Sequence, residues 1–178
     1  PWEDPDARRL WLNYAHQIAN DGNYPAYADG GNLGNYFQGL CLAEIGATRC
    51  RDGLAKWLAH RAFFNGRDRI GQMCSGIGGM NYVWLALAYL YADDTVKEVP
   101  PVAGVTVTQR AYHLVNDLNK VNQLRAYFTL ENRPAPSKLI FRAGPKETDQ
   151  YMLVEAAGMA GHSPMYSGAI LQYSGDYA

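Results

Sequence analysis

The hydrophobic pattern of the chain changes from a helical period to a strand period near residue 100. In the first part, apolar residues recur at the three- and four-residue spacing of a helix face. The first such run consists of Ala7, Leu10, Trp11, Tyr14 and Ile18. Beyond Pro100 and Pro101, alternating and β-branched runs replace that spacing. The pattern therefore predicts an α+β protein, helical over residues 1–100 and antiparallel β over residues 101–178.

Capping residues and glycines mark the ends of the first three predicted helices. Asp4, followed by a proline, caps the first helix, and residues 20–22 (Asn-Asp-Gly) end it. The second helix is predicted to run from an Asn32 cap to Gly46. Asp52 is expected to cap the third. Short polar connections between these helices favour antiparallel helical hairpins.

The fourth predicted helix, residues 80–92, follows a Gly- and Arg-rich segment, residues 65–79, that is expected to be a loop. This helix is apolar on nearly every side, so we expect protein to surround it. Its apolar run of 11 residues is about half of what a membrane span needs. The sequence therefore predicts no membrane partner.

Six short β-type runs follow the helices, separated by glycine, proline and polar residues. They cover residues 105–108, 111–115, 124–130, 138–143, 150–156 and 168–173. Residues 132–136 are predicted to be a turn. Because no closing element follows the last run, we expect a sheet that is cut short and a chain that is a fragment of a longer one. Its open edge would suit pairing with a second copy or with the rest of that chain.

Composition and charge exclude several classes of partner. The net charge of −1 over 178 residues gives no general attraction to nucleic acid, so an anion site must be a local cluster. Cys41, Cys50 and Cys74 match neither a redox pair nor a zinc ribbon. They are expected to be buried small residues, with one disulfide and an odd thiol as the alternative. No metal site and no cofactor is predicted. The 13 tyrosines suit either a cleft for sugar rings or ordinary core packing.

Three short motifs follow one another in the last part of the chain. They are PSKLIFRAG from Pro136, YMLVEA from Tyr151 and GHSPMYSG from Gly161. They resemble the start of the β-sandwich domain in the heparinase II/III-like polysaccharide lyases, whose pattern is roughly P-x-K-L-V-x-R-S-G, Y-L-x-x-E-A and G-H-x-H-x-D-x-G-S. Upstream, Pro25 to Asp29 resembles a P-x-x-G-D turn late in that family's (α/α) toroid. The resemblance implies the end of a toroid followed by the first strands of a sandwich.

The resemblance also implies a reaction, β-elimination on a uronate-containing polysaccharide. A base removes the C5 proton of the uronate while its carboxylate is neutralised. A tyrosine usually serves as base or acid in this family, and a histidine of the sandwich assists. His162 takes the place of that histidine, with Tyr166 and Tyr36 as further catalytic candidates. The chain departs from the pattern at Pro164, where some members have a metal-binding histidine, and at Tyr166, where an acid is expected.

Four further residues are candidates for substrate binding. Arg142 and Arg67 would neutralise the uronate carboxylate through bidentate contacts. Asn35 adjoins Tyr36, and Asp29 shapes its own loop. The implied partner is an anionic polysaccharide or oligosaccharide, and the implied location is periplasmic or extracellular.

Two other functions remain open at the level of sequence. A glycoside hydrolase on a helical toroid needs two carboxylates facing one cleft, and Asp29 with Glu155 is the pair available for that role. A non-catalytic carbohydrate-binding or structural module of the same fold is the other alternative. Pro164 and Tyr166, which replace the metal-binding pattern, favour that module.

Overall fold

The chain forms four α-helices followed by an antiparallel sheet within the residues that the computed structural model describes, 2–25, 36–69, 80–112, 133–155 and 170–174. The helices are α1 (Pro5–Ala15), α2 (Tyr36–Cys50), α3 (Gly53–Gly66) and α4 (Met80–Tyr91), and a 3-10 turn, Arg67–Arg69, follows α3. The strands are β1 (Gly104–Tyr112), β2 (Arg133–Arg142), β3 (Tyr151–Glu155) and β4 (Ile170–Ser174). This order of helices before strands is the one predicted for an α+β protein.

Asp52 caps α3, as its sequence position predicts. Its Oδ1 accepts a hydrogen bond of 2.7 Å from the backbone N–H of Ala55 and lies 3.1 Å from Nε2 of His16, just beyond the end of α1. Burial raises the pKa of the Asp52 carboxyl, but the bonds from His16 and Ala55 outweigh that effect and hold the pKa below its ordinary value. Asp52 therefore joins the start of α3 to the residue that follows α1.

Replacing Asp52 with alanine is expected to lower the free energy of unfolding by about 1–2 kcal/mol, because both the cap and the contact with His16 are lost. The pKa of Asp52 is lower in the folded protein than in the unfolded chain. The contribution of Asp52 to stability is therefore present at pH values above its unfolded pKa and is lost as pH falls through its folded pKa. Urea titrations at pH 7 and pH 3 measure both effects. Asp68→Ala, at an exposed carboxylate, is the control; an equal loss in the two variants would contradict the assignment.

Three helix boundaries differ from the prediction. α1 ends at Ala15, α2 continues through Gly46 to Cys50, and α3 extends into the predicted loop as far as Gly66. Gly46 lies in the helix because the neighbouring helices approach it closely. A methyl group added there would lie 3.3 Å from Cβ of Ala15 and 3.6 Å from Cβ of Ala55. Gly46 is therefore a packing position and not a helix end.

The main core lies between the helices. Its largest buried members come from α2 and α3 and from the segment after α1, and α4 and residue 96 each add one buried side chain. These members include Ile18, Tyr24, Phe37, Leu40, Cys41, Trp57, Leu58, Ala88 and Val96. Cys41 and Cys50 are buried, free thiols. Among the described helices, none is long and apolar enough to cross a lipid bilayer.

The prediction that protein surrounds α4 is wrong for the described residues. Tyr82, Val83, Tyr89 and Leu90 are exposed, whereas Ala88 is buried. Among the described elements α4 packs against α2. Besides Ala88, the α4 residues that pack, partly buried, against the core are Trp84, Leu85, Leu87 and Tyr91. The helix is apolar on most sides, yet only one side has a described neighbour to bury against.

The four strands form one sheet in the order β1-β2-β3-β4, and all neighbours are antiparallel. The predicted strands 138–143, 150–156 and 168–173 correspond to parts of β2, to β3 and to β4. β1 contains the predicted strand 105–108 and continues through residues 111 and 112, where a separate strand was predicted. The prediction for 113–115 and for 124–130 lies outside the described residues.

The predicted turn at residues 132–136 is wrong for the four residues that are described, because β2 begins at Arg133 and pairs with β1 through Pro134 and Pro136. β3 pairs with β2 only over Lys138 to Arg142, so both prolines lie where β2 has one described neighbour. Pro136 also adjoins the irregular register between Thr108 and Gln109. Proline, which lacks an N–H donor, is tolerated at strand edges and bulges.

Candidate functional site

Three of the seven predicted site residues lie in the described part of the chain: Tyr36, Arg67 and Arg142. The other four, His162, Tyr166, Asn35 and Asp29, lie outside the described residues. In the sequence, His162 and Tyr166 stand between β3 and β4, and Asn35 directly precedes α2.

Tyr36 and Arg67 lie at the same end of the α2–α3 hairpin. Tyr36 is the first residue of α2 and is buried against Gly66, the last residue of α3. A methyl group on Gly66 would lie 2.5 Å from Cβ of Tyr36, so only glycine permits this approach. Arg67 follows Gly66 directly, and its backbone N–H donates to the carbonyl of Phe63. The fold therefore brings together two of the predicted site residues.

The guanidinium of Arg67 is available to a ligand. Its side chain is 54% exposed, and its Cζ lies 5.6 Å from the centroid of the Phe64 ring. Its only ionic neighbour among the described residues is Asp68, at 3.9 Å from Nε. This separation is longer than a hydrogen bond, and an exposed pair of this kind is weak. Arg67 can therefore bind a carboxylate without breaking a strong contact.

Arg142, by contrast, is buried between the sheet and the segment that follows α1. Its Nη1 donates to Oδ1 of Asn20 at 2.5 Å, and its Nη2 donates to the carbonyls of His16 and Ile18 at 2.9 and 2.6 Å. Those carbonyls accept from Arg142 because the chain leaves the helical conformation after Ala15. Its Cζ also lies 4.8 Å from the centroid of the Tyr151 ring.

Asn20 and Tyr151 complete this set of contacts, which we name the Arg142 network. Nδ2 of Asn20 donates to the carbonyls of Gly144 and Lys146, at 2.8 and 3.0 Å. The hydroxyl of Tyr151 donates to the carbonyl of Gln17 at 2.6 Å. Burial lowers the pKa of Arg142 and raises that of Tyr151.

The Arg142 network joins the helical part to the sheet, and the guanidinium donors of Arg142 are used in these contacts. A residue that is buried and donates to three protein acceptors has little capacity left for a substrate carboxylate. The geometry therefore argues against the predicted role of Arg142 in substrate binding and favours a structural role. Arg67 is the better placed of the two arginines.

A second group of polar residues, which the sequence interpretation missed, lies between α2, α3 and α4. Lys56 of α3 donates to both carboxylate oxygens of Glu44 of α2, at 3.1 and 3.0 Å, and both side chains are buried. They line a cavity of about 200 Å³, which we name the helix cavity. Apolar walls come from Leu40, Leu85 and other residues of the same three helices.

The electrostatics of the helix cavity are dominated by acids. Burial raises the pKa of Glu44, and the contact with Lys56 offsets part of that effect. Asp94, which is fully exposed, lies 3.8 Å from Nζ of Lys56. Nδ1 of His60 is hydrogen-bonded to Oε1 of Glu98 at 2.6 Å.

One signal in the sequence could have indicated this group. Glu44 lies within the apolar stripe of α2, where an ionised group needs a partner.

Within the described ranges, no group of three His, Cys, Asp or Glu residues is arranged to hold a metal ion. The two arrangements with chemical potential described above are the exposed guanidinium of Arg67 and the paired charges of the helix cavity. Comparison of the chain with models of known protein families, with curated proteins and with solved structures finds no match.

Proposed function

We propose that this chain is part of a polysaccharide lyase-like protein that cleaves an anionic, uronate-containing polysaccharide by β-elimination. In this proposal the helices form the end of an (α/α) toroid, and the strands form the beginning of a β-sandwich. The substrate lies between the two parts, as the resemblance of the three motifs implies. This site would require a periplasmic or extracellular location, where such polysaccharides occur.

The observation that carries the proposal is the position of the motif residues in the sheet. The first two motifs fall on β2 and β3, where Arg142 and Tyr151 are cross-strand partners, and the third motif ends two positions before the first residue of β4. Both Arg142 and Tyr151 bond to residues 16–20, so they hold the sheet against the helical part. A lyase that encloses a sugar chain between two parts needs a fixed junction of this kind.

The chemistry of the proposed site assigns one role to each residue. His162 or Tyr166 removes the C5 proton or protonates the leaving oxygen, and Tyr36 is the alternative group for either step. Arg67, with an exposed guanidinium, neutralises the uronate carboxylate and so stabilises the charge that develops on proton removal. Asn35 adds a hydrogen bond next to Tyr36, and Asp29 shapes the preceding segment.

The test is an ultraviolet assay for unsaturated uronate ends on alginate, heparin and chondroitin. We expect the full chain to generate absorbing product on at least one of them. His162→Ala should lower the rate by about 100-fold or more, as loss of a general acid or base does. His113→Ala is the matched control and should leave the rate unchanged. Equal rates in the two variants would remove His162 from the mechanism.

A non-catalytic carbohydrate-binding module is the second candidate, and Pro164 favours it because it replaces a metal-binding histidine of the family pattern. Binding of a polysaccharide without any product would support the module. A glycoside hydrolase using Asp29 and Glu155 would instead release reducing ends without ultraviolet absorbance. The same three substrates therefore separate the lyase from both alternatives.

A further inference from the structure

The helix cavity combines paired charges with aromatic side chains. The side chains of Lys56 and Glu44 are 3% and 7% exposed, so the ion pair lies at the inner end. Phe63 and Tyr89 also line the cavity, and both are exposed, so they lie near its mouth. A ligand entering the cavity would therefore contact aromatic carbon first and charged hydrogen-bonding groups at its inner end.

The polar groups of the cavity have hydrogen-bonding capacity that the described residues do not use. The ammonium of Lys56 carries three protons, and the two oxygens of Glu44 account for two of them. Asp94 is too distant, at 3.8 Å, to accept the third. His60 bonds Glu98 through Nδ1, and its other ring nitrogen has no partner within the described part of the chain. The cavity thus offers donors and carboxylate acceptors to the same ligand.

Hydroxyl groups match this arrangement, because each one donates and accepts at once. A six-membered ring that carries hydroxyls at its edge and C–H groups on its face also suits an aromatic wall. The volume of about 200 Å³ is far more than one water needs and leaves room for one such ring. We propose that the helix cavity binds a single uncharged sugar ring.

The charges of the cavity favour an uncharged ring over an anionic one. Glu44 neutralises Lys56, and Asp94 adds a negative charge near the pair. A carboxylate on the ring would therefore face acids, and Lys56, which is already paired with Glu44, is the one lysine or arginine among the described residues that line the cavity. The ligand of this cavity differs from the uronate of the proposed lyase site. The inference goes beyond the proposed function, and it needs neither cleavage nor His162.

Ligand-observed saturation-transfer NMR on the full chain tests the proposal with methyl glycosides of glucose, galactose and mannose as probes. We expect at least one of them to bind with a dissociation constant on the order of 1 mM, a typical strength for about 13 heavy atoms. Glucuronate should bind at least about 10-fold more weakly than methyl glucoside. Asp94→Asn should reduce that difference, because it removes the nearest free acid.

Two tyrosines of α4 provide a matched pair of variants. Tyr89 lines the cavity, whereas Tyr82 is on the same helix and does not line it. Both are exposed, so neither alanine variant should unfold the protein, and circular dichroism checks this. Tyr89→Ala should weaken glycoside binding by about 5-fold or more, as loss of an aromatic contact does. Tyr82→Ala should leave it unchanged.

Several results would overturn the proposal. The first is that no saturation is transferred from the protein to any of the three glycosides. The second is equal glycoside binding by the Tyr82→Ala and Tyr89→Ala variants. The third is that glucuronate binds as tightly as methyl glucoside. Tighter binding of tetramethylammonium than of any glycoside would also overturn it, because the cavity would then be a cation site. None of these results bears on the ultraviolet assay, so failure of this proposal and failure of the lyase proposal are distinguishable.

Discussion

Replacing Arg142 with methionine is expected to lower the free energy of unfolding by about 3–5 kcal/mol. The substitution keeps an unbranched apolar side chain but removes the donors for Asn20 and for the carbonyls of His16 and Ile18. A buried acceptor left without a donor costs about 1–3 kcal/mol, and several are left here. Urea denaturation followed by circular dichroism measures the loss.

The matched control for this experiment is Arg67→Met, at an exposed arginine, which should change stability by no more than about 0.5 kcal/mol. A double-mutant cycle of Arg142→Met with Asn20→Ala should give a coupling of about 1–3 kcal/mol, because the two side chains bond directly. A loss below about 1 kcal/mol in Arg142→Met, or additive effects in the cycle, would show that the junction does not depend on these contacts.

Replacing Lys56 with methionine is expected to cost about 3–5 kcal/mol at neutral pH, because Glu44 is left buried and ionised without its partner. The combined change Glu44→Leu with Lys56→Met should be far less costly and can even stabilise the chain. Apolar side chains of similar volume avoid the desolvation of both charges. Comparison of the single and double variants by urea denaturation measures this difference.

The loss in Lys56→Met should depend on pH in a defined direction. The pKa of Glu44 is already raised in the fold, and removal of Lys56 takes away the contact that lowers it. A carboxyl with a raised pKa favours the fold most when it is protonated, below its unfolded pKa, and that benefit is lost as pH rises through the folded pKa. The cost of Lys56→Met should therefore decrease between pH 7 and pH 4. A constant cost over this range would show that Glu44 is not the group affected.

Local chemistry predicted much of the secondary structure. The cap at Asp52 was identified because its side-chain oxygen acts on the neighbouring backbone. The runs that correspond to β2, β3 and β4 were identified because they are short, rich in aliphatic and aromatic residues, and bounded by glycine, proline and polar residues. The errors at Gly46, at Pro134 and over α4 have a different origin. The conformation of each of these segments depends on which other element packs beside it. The hydrophobicity of a segment shows which surface it can bury, but it does not show which element is present to cover that surface.

The site was harder to predict than the fold. Arg142 has the chemistry of an anion-binding residue, but its acceptors are mainly backbone carbonyls more than 120 positions away, which no sequence pattern marks. Glu44 and Lys56 are 12 positions apart on different helices, so neither spacing nor periodicity connects them. Arg67 was identified by its residue type and is exposed as that role requires, whereas the predictions for His162 and Tyr166 concern residues that are not described.

The Arg142 network has a consequence for the synthesis of the protein. The carbonyl of Ile18 and the guanidinium of Arg142 are 124 positions apart in the chain. At roughly 5–20 residues per second, a ribosome needs on the order of 6–25 s to make the intervening segment. Throughout that time the residues after α1 lack the donors that hold them. The helical part therefore emerges first but reaches its final conformation only when β2 and β3 have been made and paired.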